Sequence, residues 1–75
     1  MITEHQIPET IEERREWIKY QLGIRGTSLA ALALKHRVSR QLYSITLVKP
    51  NKIRELHIAA ELGVKPELIW PERYS

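Results

Sequence analysis

No cysteine and no phenylalanine occur in this chain, and glycine appears only three times. Without cysteine there is no disulfide, no thiolate nucleophile and no zinc site of the cysteine type. The lack fits a reducing cytosol, and a cytoplasmic protein is expected. Long apolar runs are missing too. None approaches the ~18 residues that a membrane-spanning helix needs, so no membrane partner is expected. The N-terminus lacks a basic stretch followed by an apolar one, and no signal peptide is expected. There is no Gly-rich phosphate loop and no nucleophile elbow. His5, His36 and His57 show no metal-ligand spacing. No cofactor, no metal and no catalytic residue is expected, and hence no enzyme. One further absence carries the most information: from Arg25 to Arg54 there is no acidic residue.

That same stretch holds seven basic side chains: Arg25, Lys35, Arg37, Arg40, Lys49, Lys52 and Arg54. The flanks are net acidic, at −2 on each side, and the whole chain stands at +3. Positive charge is thus gathered into one block within the folded sequence. A field of one sign on one segment points to a polyanion as partner. A merely solvated surface is the alternative reading.

Seventy-five residues allow one domain. Apolar content of 43% with clear periodicity argues against disorder. No alternating β-branched run appears, and Gly and Pro fall at spaced positions, so the chain reads as helical throughout. Residues 1–9 read as a flexible N-terminal arm and residues 10–75 as the folded domain. Helix 1 starts at Thr10, where Thr10 and Glu13 fit a capping box; Pro8 is an alternative start. Ile11, Ile18 and Leu22 form its apolar stripe, widened by Trp17, Tyr20 and Ile24. The glutamates of its first turns suit the helix dipole and do not form a catalytic acid pair. Gly26 is a left-handed stop. Helix 2 is the apolar run Leu29 to Leu34, capped by Ser28 or Thr27. Ser39 caps helix 3, which runs to about Leu47. Pro50 breaks the chain and Asn51 caps helix 4, with Ile53, Leu56, Ala59, Ala60 and Leu62 inward. Gly63 ends it. Pro66 opens a last turn that lays Ile69 and Trp70 on helices 1 and 4 as a lid. The fold class expected is an all-α bundle of about five short helices.

Helix 2, a three-residue break and a capped helix 3 have the spacing of a helix-turn-helix. Ala33 is the small residue where the helices cross. Val38 plugs the turn, and Tyr43 with Thr46 locks helix 3. Ser39, Arg40, Gln41 and Ser44 are then left facing outward. Their chemistry suits base edges: Arg40 can bond guanine O6 and N7, and Gln41 can pair with adenine. Thr27 and Ser28 at the start of helix 2 suit a phosphate. Lys35, Arg37, Lys49 and Lys52 lie near the helix ends and would hold the backbone of double-stranded DNA. Leu42 and Ile45 also fall on positions facing DNA or solvent. Either the register of helix 3 is one residue off, or these two meet thymine methyls or a second subunit.

The segment Gly26–Leu47 (GTSLAALALKHRVSRQLYSITL) and the tail Lys65–Tyr74 (KPELIWPERY) together resemble the Ner-like DNA-binding proteins. These are small regulators of Mu-type transposable phages, with bacterial relatives called Nlp. The tail is the more specific part, and the resemblance covers roughly residues 14–75. It implies a lambda-repressor-like helix-turn-helix fold and sequence-specific DNA binding that usually represses transcription. The chain departs from the pattern at Arg37, where such turns usually have glycine because the position often needs positive φ. It departs again at His36 and at Asn51–Glu55.

A homodimer, or paired binding on a symmetric or tandem site, is expected because one helix reads too few base pairs for tight specific binding. Two rival readings remain. One is a protein–protein adaptor using Leu42, Ile45 and Leu47 as an apolar patch. The other is a DNA-binding accessory that holds all duplexes alike.

Overall fold

The computed structural model describes residues 2–74. Met1 of the expected arm and Ser75 of the expected domain lie outside them. Five α-helices follow one another: α1 (Ile11–Ile24), α2 (Leu29–Lys35), α3 (Arg40–Thr46), α4 (Lys52–Leu62) and α5 (Pro66–Ile69). Short 3₁₀ turns at Glu4–Gln6 and Pro71–Arg73 bracket them. Among the described residues there is no strand. The fold is an all-α helix-turn-helix bundle.

Local chemistry explains most helix ends. The Thr10 hydroxyl oxygen accepts from the Glu13 N–H at 3.3 Å. The Glu13 carboxylate in turn accepts from the Thr10 hydroxyl at 2.8 Å rather than from the backbone N–H of a full capping box. Ser28 caps α2 by accepting from the Ala31 N–H at 3.0 Å. Asn51 caps α4 by accepting from the Arg54 N–H at 3.0 Å, and Glu55 returns a bond to the Asn51 N–H at 2.8 Å. Ser39 holds the N-cap position of α3 with extended backbone but gives no side-chain bond. Gly63 leaves α4 with φ +72°, a conformation other residues resist.

The core gathers Ile18 and Leu22 of α1, Leu29, Leu32 and Ala33 of α2, and Tyr43 and Leu47 at α3. Ile58, Ala59 and Leu62 of α4 complete it with Ile69 and Trp70, which close the bundle as the expected lid. Several apolar residues expected inside stand outside. Tyr20 and Ile24 are exposed because they sit about 200° and 240° around the helix from Ile18. Ile11, in the first turn of α1, is exposed as well. On α4, Ile53 and Leu56 are 67% and 54% exposed, and Ala60 also faces out. The inward positions are Glu55, Ile58, Ala59 and Leu62, spaced i, i+3, i+4 and i+7. A carboxylate therefore occupies a core position, and that shifts the buried face away from the apolar count. Leu34, the last residue of the apolar run of α2, is 82% exposed.

Within the stretch expected as a flexible arm, residues 3–6 and Glu9 are exposed, while Ile2 and Ile7 are buried. Ile2 and Ile7 join the core. Arg14, itself buried, explains how. Its guanidinium donates to the Pro8 carbonyl at 3.1 Å, to the Glu9 carbonyl at 2.9 Å and to the Glu72 carboxylate at 2.6 Å. One side chain thus fastens both ends of the chain to α1.

Glu55, 1% exposed, is the second fastening. It accepts from Arg73 at 3.0 Å and from the Tyr74 hydroxyl at 2.7 Å. Arg73 also donates to the Thr46 carbonyl at 2.9 Å, at the end of α3. Burial by itself pushes the Glu55 carboxyl up. Its bonds from Tyr74, Asn51 and Arg73, with the Arg73 charge, outweigh that and hold it below the usual carboxylate value. The Tyr74 phenol is pushed up to about 12, chiefly by its bond to Glu55.

Removing one partner of a buried ion pair leaves the other uncompensated, which costs roughly 3–5 kcal/mol. Glu55→Ala is expected to destabilise by about that amount in urea denaturation. Glu61→Ala, which breaks an exposed pair with Lys35, should cost under about 1 kcal/mol. The Glu55 contribution is present above the unfolded carboxylate pKa and is lost as pH falls through its lowered folded value.

Candidate nucleic-acid interface

The α2–α3 corner is built by backbone geometry first. α2 ends at His36, and Arg37 then takes φ +58°, the only non-glycine residue with positive φ among those described. That turn lets the Val38 N–H reach back to the Ala33 carbonyl at 3.0 Å. Ala33 is buried at the helix crossing. Val38, expected to plug the turn, is exposed. The locking falls instead to α3, where Tyr43 and Thr46 are fully buried. The Tyr43 hydroxyl lies 2.7 Å from His57 Nδ1 on α4. Thr46 Oγ1 donates to the Leu42 carbonyl at 2.9 Å and accepts from Arg54 Nε at 3.1 Å.

With Tyr43, Thr46 and Leu47 inward, the other face of α3 is fixed. Ser39, Arg40 and Gln41 are exposed and Ser44 is half-buried. Ile45 is exposed beside Gln41, whereas Leu42 is half-buried. This is the register read from the sequence, without a slip. The apolar patch that an adaptor would use is not assembled, because Leu47 is buried.

Arg40 and Ser44 share an open cleft of about 320 Å³ with Ser28, Leu29 and Ala30 at the start of α2 and Lys19 of α1. Among the described residues, no carboxylate lines it. Thr27 is half-buried just before Ser28. Lys19 was not among the residues that the sequence pointed to, because it lies in the net-acidic flank and bonds Glu16 at 3.3 Å. Its only signal is position on the exposed side of α1.

The basic block divides in two. Arg37, Arg40, Lys49 and Lys52 are exposed and make no ion pair among the described residues. Lys35 is paired with Glu61 at 3.3 Å. Arg25 bonds the Gln21 side chain at 2.7 Å, and Arg54 is drawn in to Thr46. No group of three or more metal-binding side chains occurs among the described residues.

Two short helices joined by a tight turn, the second showing a polar face in an acid-free cleft, define a helix-turn-helix DNA-binding domain. A family model of winged helix-turn-helix DNA-binding domains matches residues 14–75. The chain belongs to that family. No curated protein matches it. Since no strand occurs among the described residues, the elements that can face a double-stranded DNA partner here are helices and their loops.

Positive φ costs a residue with a Cβ roughly 1–2 kcal/mol. Arg37→Gly is therefore expected to raise the stability of the domain by up to about 1 kcal/mol. Arg37→Val should lower it by about 1 kcal/mol or more, since a β-branched residue fits that region worse. Thermal denaturation of the two variants beside the native chain measures both.

Proposed function

We propose that this protein is a sequence-specific transcriptional regulator of the Ner/Nlp type, acting as a repressor by laying α3 in the major groove. The observation that carries the reading is the outward display of Arg40, Gln41 and Ser44 beside a cleft with no carboxylate. Seven residues of α3 give a rod of about 10 Å, short enough for a groove ~12 Å wide. In this reading Arg40 bonds the O6 and N7 of a guanine. Gln41 pairs with an adenine, and Ser39 and Ser44 add single bonds. Ile45, on the same outer face, suits a thymine methyl. Thr27, Ser28, Arg37, Lys49 and Lys52 hold phosphates, and Lys35 joins them if it exchanges Glu61 for DNA. Lys19, at the cleft, joins them likewise if it exchanges Glu16 for DNA. The reading involves no catalytic step. Two copies on one operator supply the length of sequence that a single helix cannot read, and the site of action is the nucleoid in the cytoplasm.

Selecting bound duplexes from a random pool should return a sharp consensus. On that consensus, Arg40→Ala and Gln41→Ala are each expected to cost about 1–3 kcal/mol, with little loss on mixed DNA. Lys49→Ala should weaken all duplexes alike and lower the salt slope by about 1. With five to seven phosphates neutralised, log K should fall against log salt with a slope of about −4.5 to −6. Equal losses on every sequence would instead mark a non-specific accessory, and affinity flat with salt would exclude DNA as the partner.

A further inference from the structure

The histidines of α2 and α4 have no part in the DNA-facing surface, yet their geometry is well defined. His36 caps the end of α2, directly before Arg37. His57 stands in the middle of α4. Their rings stack at 3.7 Å, within 3° of parallel. The Tyr43 hydroxyl of α3 reaches His57 Nδ1 at 2.7 Å, and Tyr43 is fully buried. Three side chains therefore tie the end of α2, the middle of α3 and the middle of α4 at one point.

We propose that this joint is proton-sensitive and that His57 is a positioning residue for α3, so that acid loosens sequence-specific reading of DNA. The proposal rests on the DNA-binding reading above and adds its regulation.

Burial pushes the Tyr43 phenol up, against a smaller opposing effect of Arg54. At neutral pH the phenol therefore keeps its proton and is the donor. His57 Nδ1 is then the acceptor, and the neutral ring carries its proton on Nε2. A second proton on His57 lands on Nδ1, where the phenol proton already points. The bond survives only by reversing, with Nδ1–H donating to the phenol oxygen. The phenol proton then loses its acceptor within the bundle.

The surroundings oppose that charge as well. His36 is stacked on the ring, Lys35 approaches from α2 and Arg54 from α4. Glu61, one turn further along α4, is engaged by Lys35. No carboxylate bonds either imidazole among the described residues. Burial first, then the electrostatic influence of the neighbouring His36, Lys35 and Arg54, pushes His57 below its ordinary value of 6.5. The unfolded chain thus takes up the proton at higher pH than the folded one. The joint's contribution is whole above 6.5 and fades as pH falls from there through the lowered folded value.

Simple electrostatics predicts the opposite for DNA. Protonated imidazoles add positive charge and strengthen phosphate attraction on every duplex. Selectivity is therefore the informative readout: the ratio of affinity for the selected duplex to that for a scrambled one. It should be measured at about pH 7.5 and about pH 5.5, on either side of ordinary histidine titration. In the native chain the ratio is expected to fall about fivefold in acid, at the low end of coupling energies between sites. In His57→Asn, whose amide oxygen can accept from Tyr43 in place of Nδ1, it should hold. The imidazole protons of His57, followed by NMR, should titrate below 6.5. If His57→Asn does not fold, His36→Gln serves. Removing the stacked ring should raise the His57 midpoint and move the loss of selectivity to higher pH.

An unchanged ratio, an equal fall in His57→Asn, or a His57 midpoint at or above 6.5 overturns the proposal. A chain that prefers no duplex even at neutral pH overturns the sequence-specific reading and the regulatory claim with it. In that case the titration midpoint still decides whether the joint resists protonation.

Discussion

Seven residues of isolated α-helix do not hold together in water, where even good helix formers need roughly 12–15 residues. α3 has only seven residues and no side-chain cap at Ser39. Its existence depends on burying Tyr43, Thr46 and Leu47. That single constraint decides the rest of the surface. Once Tyr43 is inside and its hydroxyl is on His57, the helix has no rotational freedom. Arg40 and Ser44 must then line the cleft, and Gln41 must face solvent beside them. The polar outer face of α3 is thus a consequence of core packing on the opposite side of the same short rod.

The tail extends this hold to the far end of α3. Arg73 donates to the Thr46 carbonyl, one of the orphan acceptors that every helix leaves at its C-terminus. It can do so because Glu55 neutralises it within the bundle and Trp70 lies under its guanidinium, 5.0 Å from ring centre. Arg54 adds a bond to the Thr46 hydroxyl from α4. A segment far along the chain, with no role at the cleft, therefore helps fix where the cleft lies. This gives the Lys65–Tyr74 stretch a physical purpose that a lid of apolar residues alone would not need.

Much of this was legible in the sequence, and the reasons differ by residue. Thr10, Ser28, Asn51, Gly26 and Gly63 act through local chemistry, so their effects are visible within four residues of chain. The outward set on α3 was legible because Ala33, Tyr43 and Thr46 fix its register by spacing. The turn of such motifs usually has glycine at the place of Arg37, which left strain or a rearranged turn open, and Arg37 takes the positive φ. What stayed hidden depends on distant partners. Glu55 and Arg14 look like surface charges until Arg73 and Glu72 are brought beside them from the other end of the chain. Burying Glu55 turned α4 so that Ile53 and Leu56 faced water, which no count of apolar residues foretells. The inward packing of Ile2 and Ile7 and the cleft position of Lys19 depend in the same way on contacts outside their own segments.

These hidden contacts and the acid-free block are two sides of one arrangement. Among the described residues, the two ion-paired cations with buried side chains, Arg14 and Arg73, lie outside residues 25–54 and take their carboxylates from the flanks. Spent in this way, Glu55 and Glu72 tie the chain ends together and are held away from the cleft. Inside the block, among the described residues, only Lys35 is matched by a carboxylate, and that pair is exposed and weak. Arg37, Arg40, Lys49 and Lys52 keep their charge toward solvent. A small chain needs some ion pairing to fasten its ends, and a DNA-facing surface needs cations that nothing else neutralises. Segregating acids from bases along the sequence meets both needs, since the buried carboxylate Glu55 is held by Arg73 and Tyr74, and Glu72 by Arg14, away from the exposed Arg40.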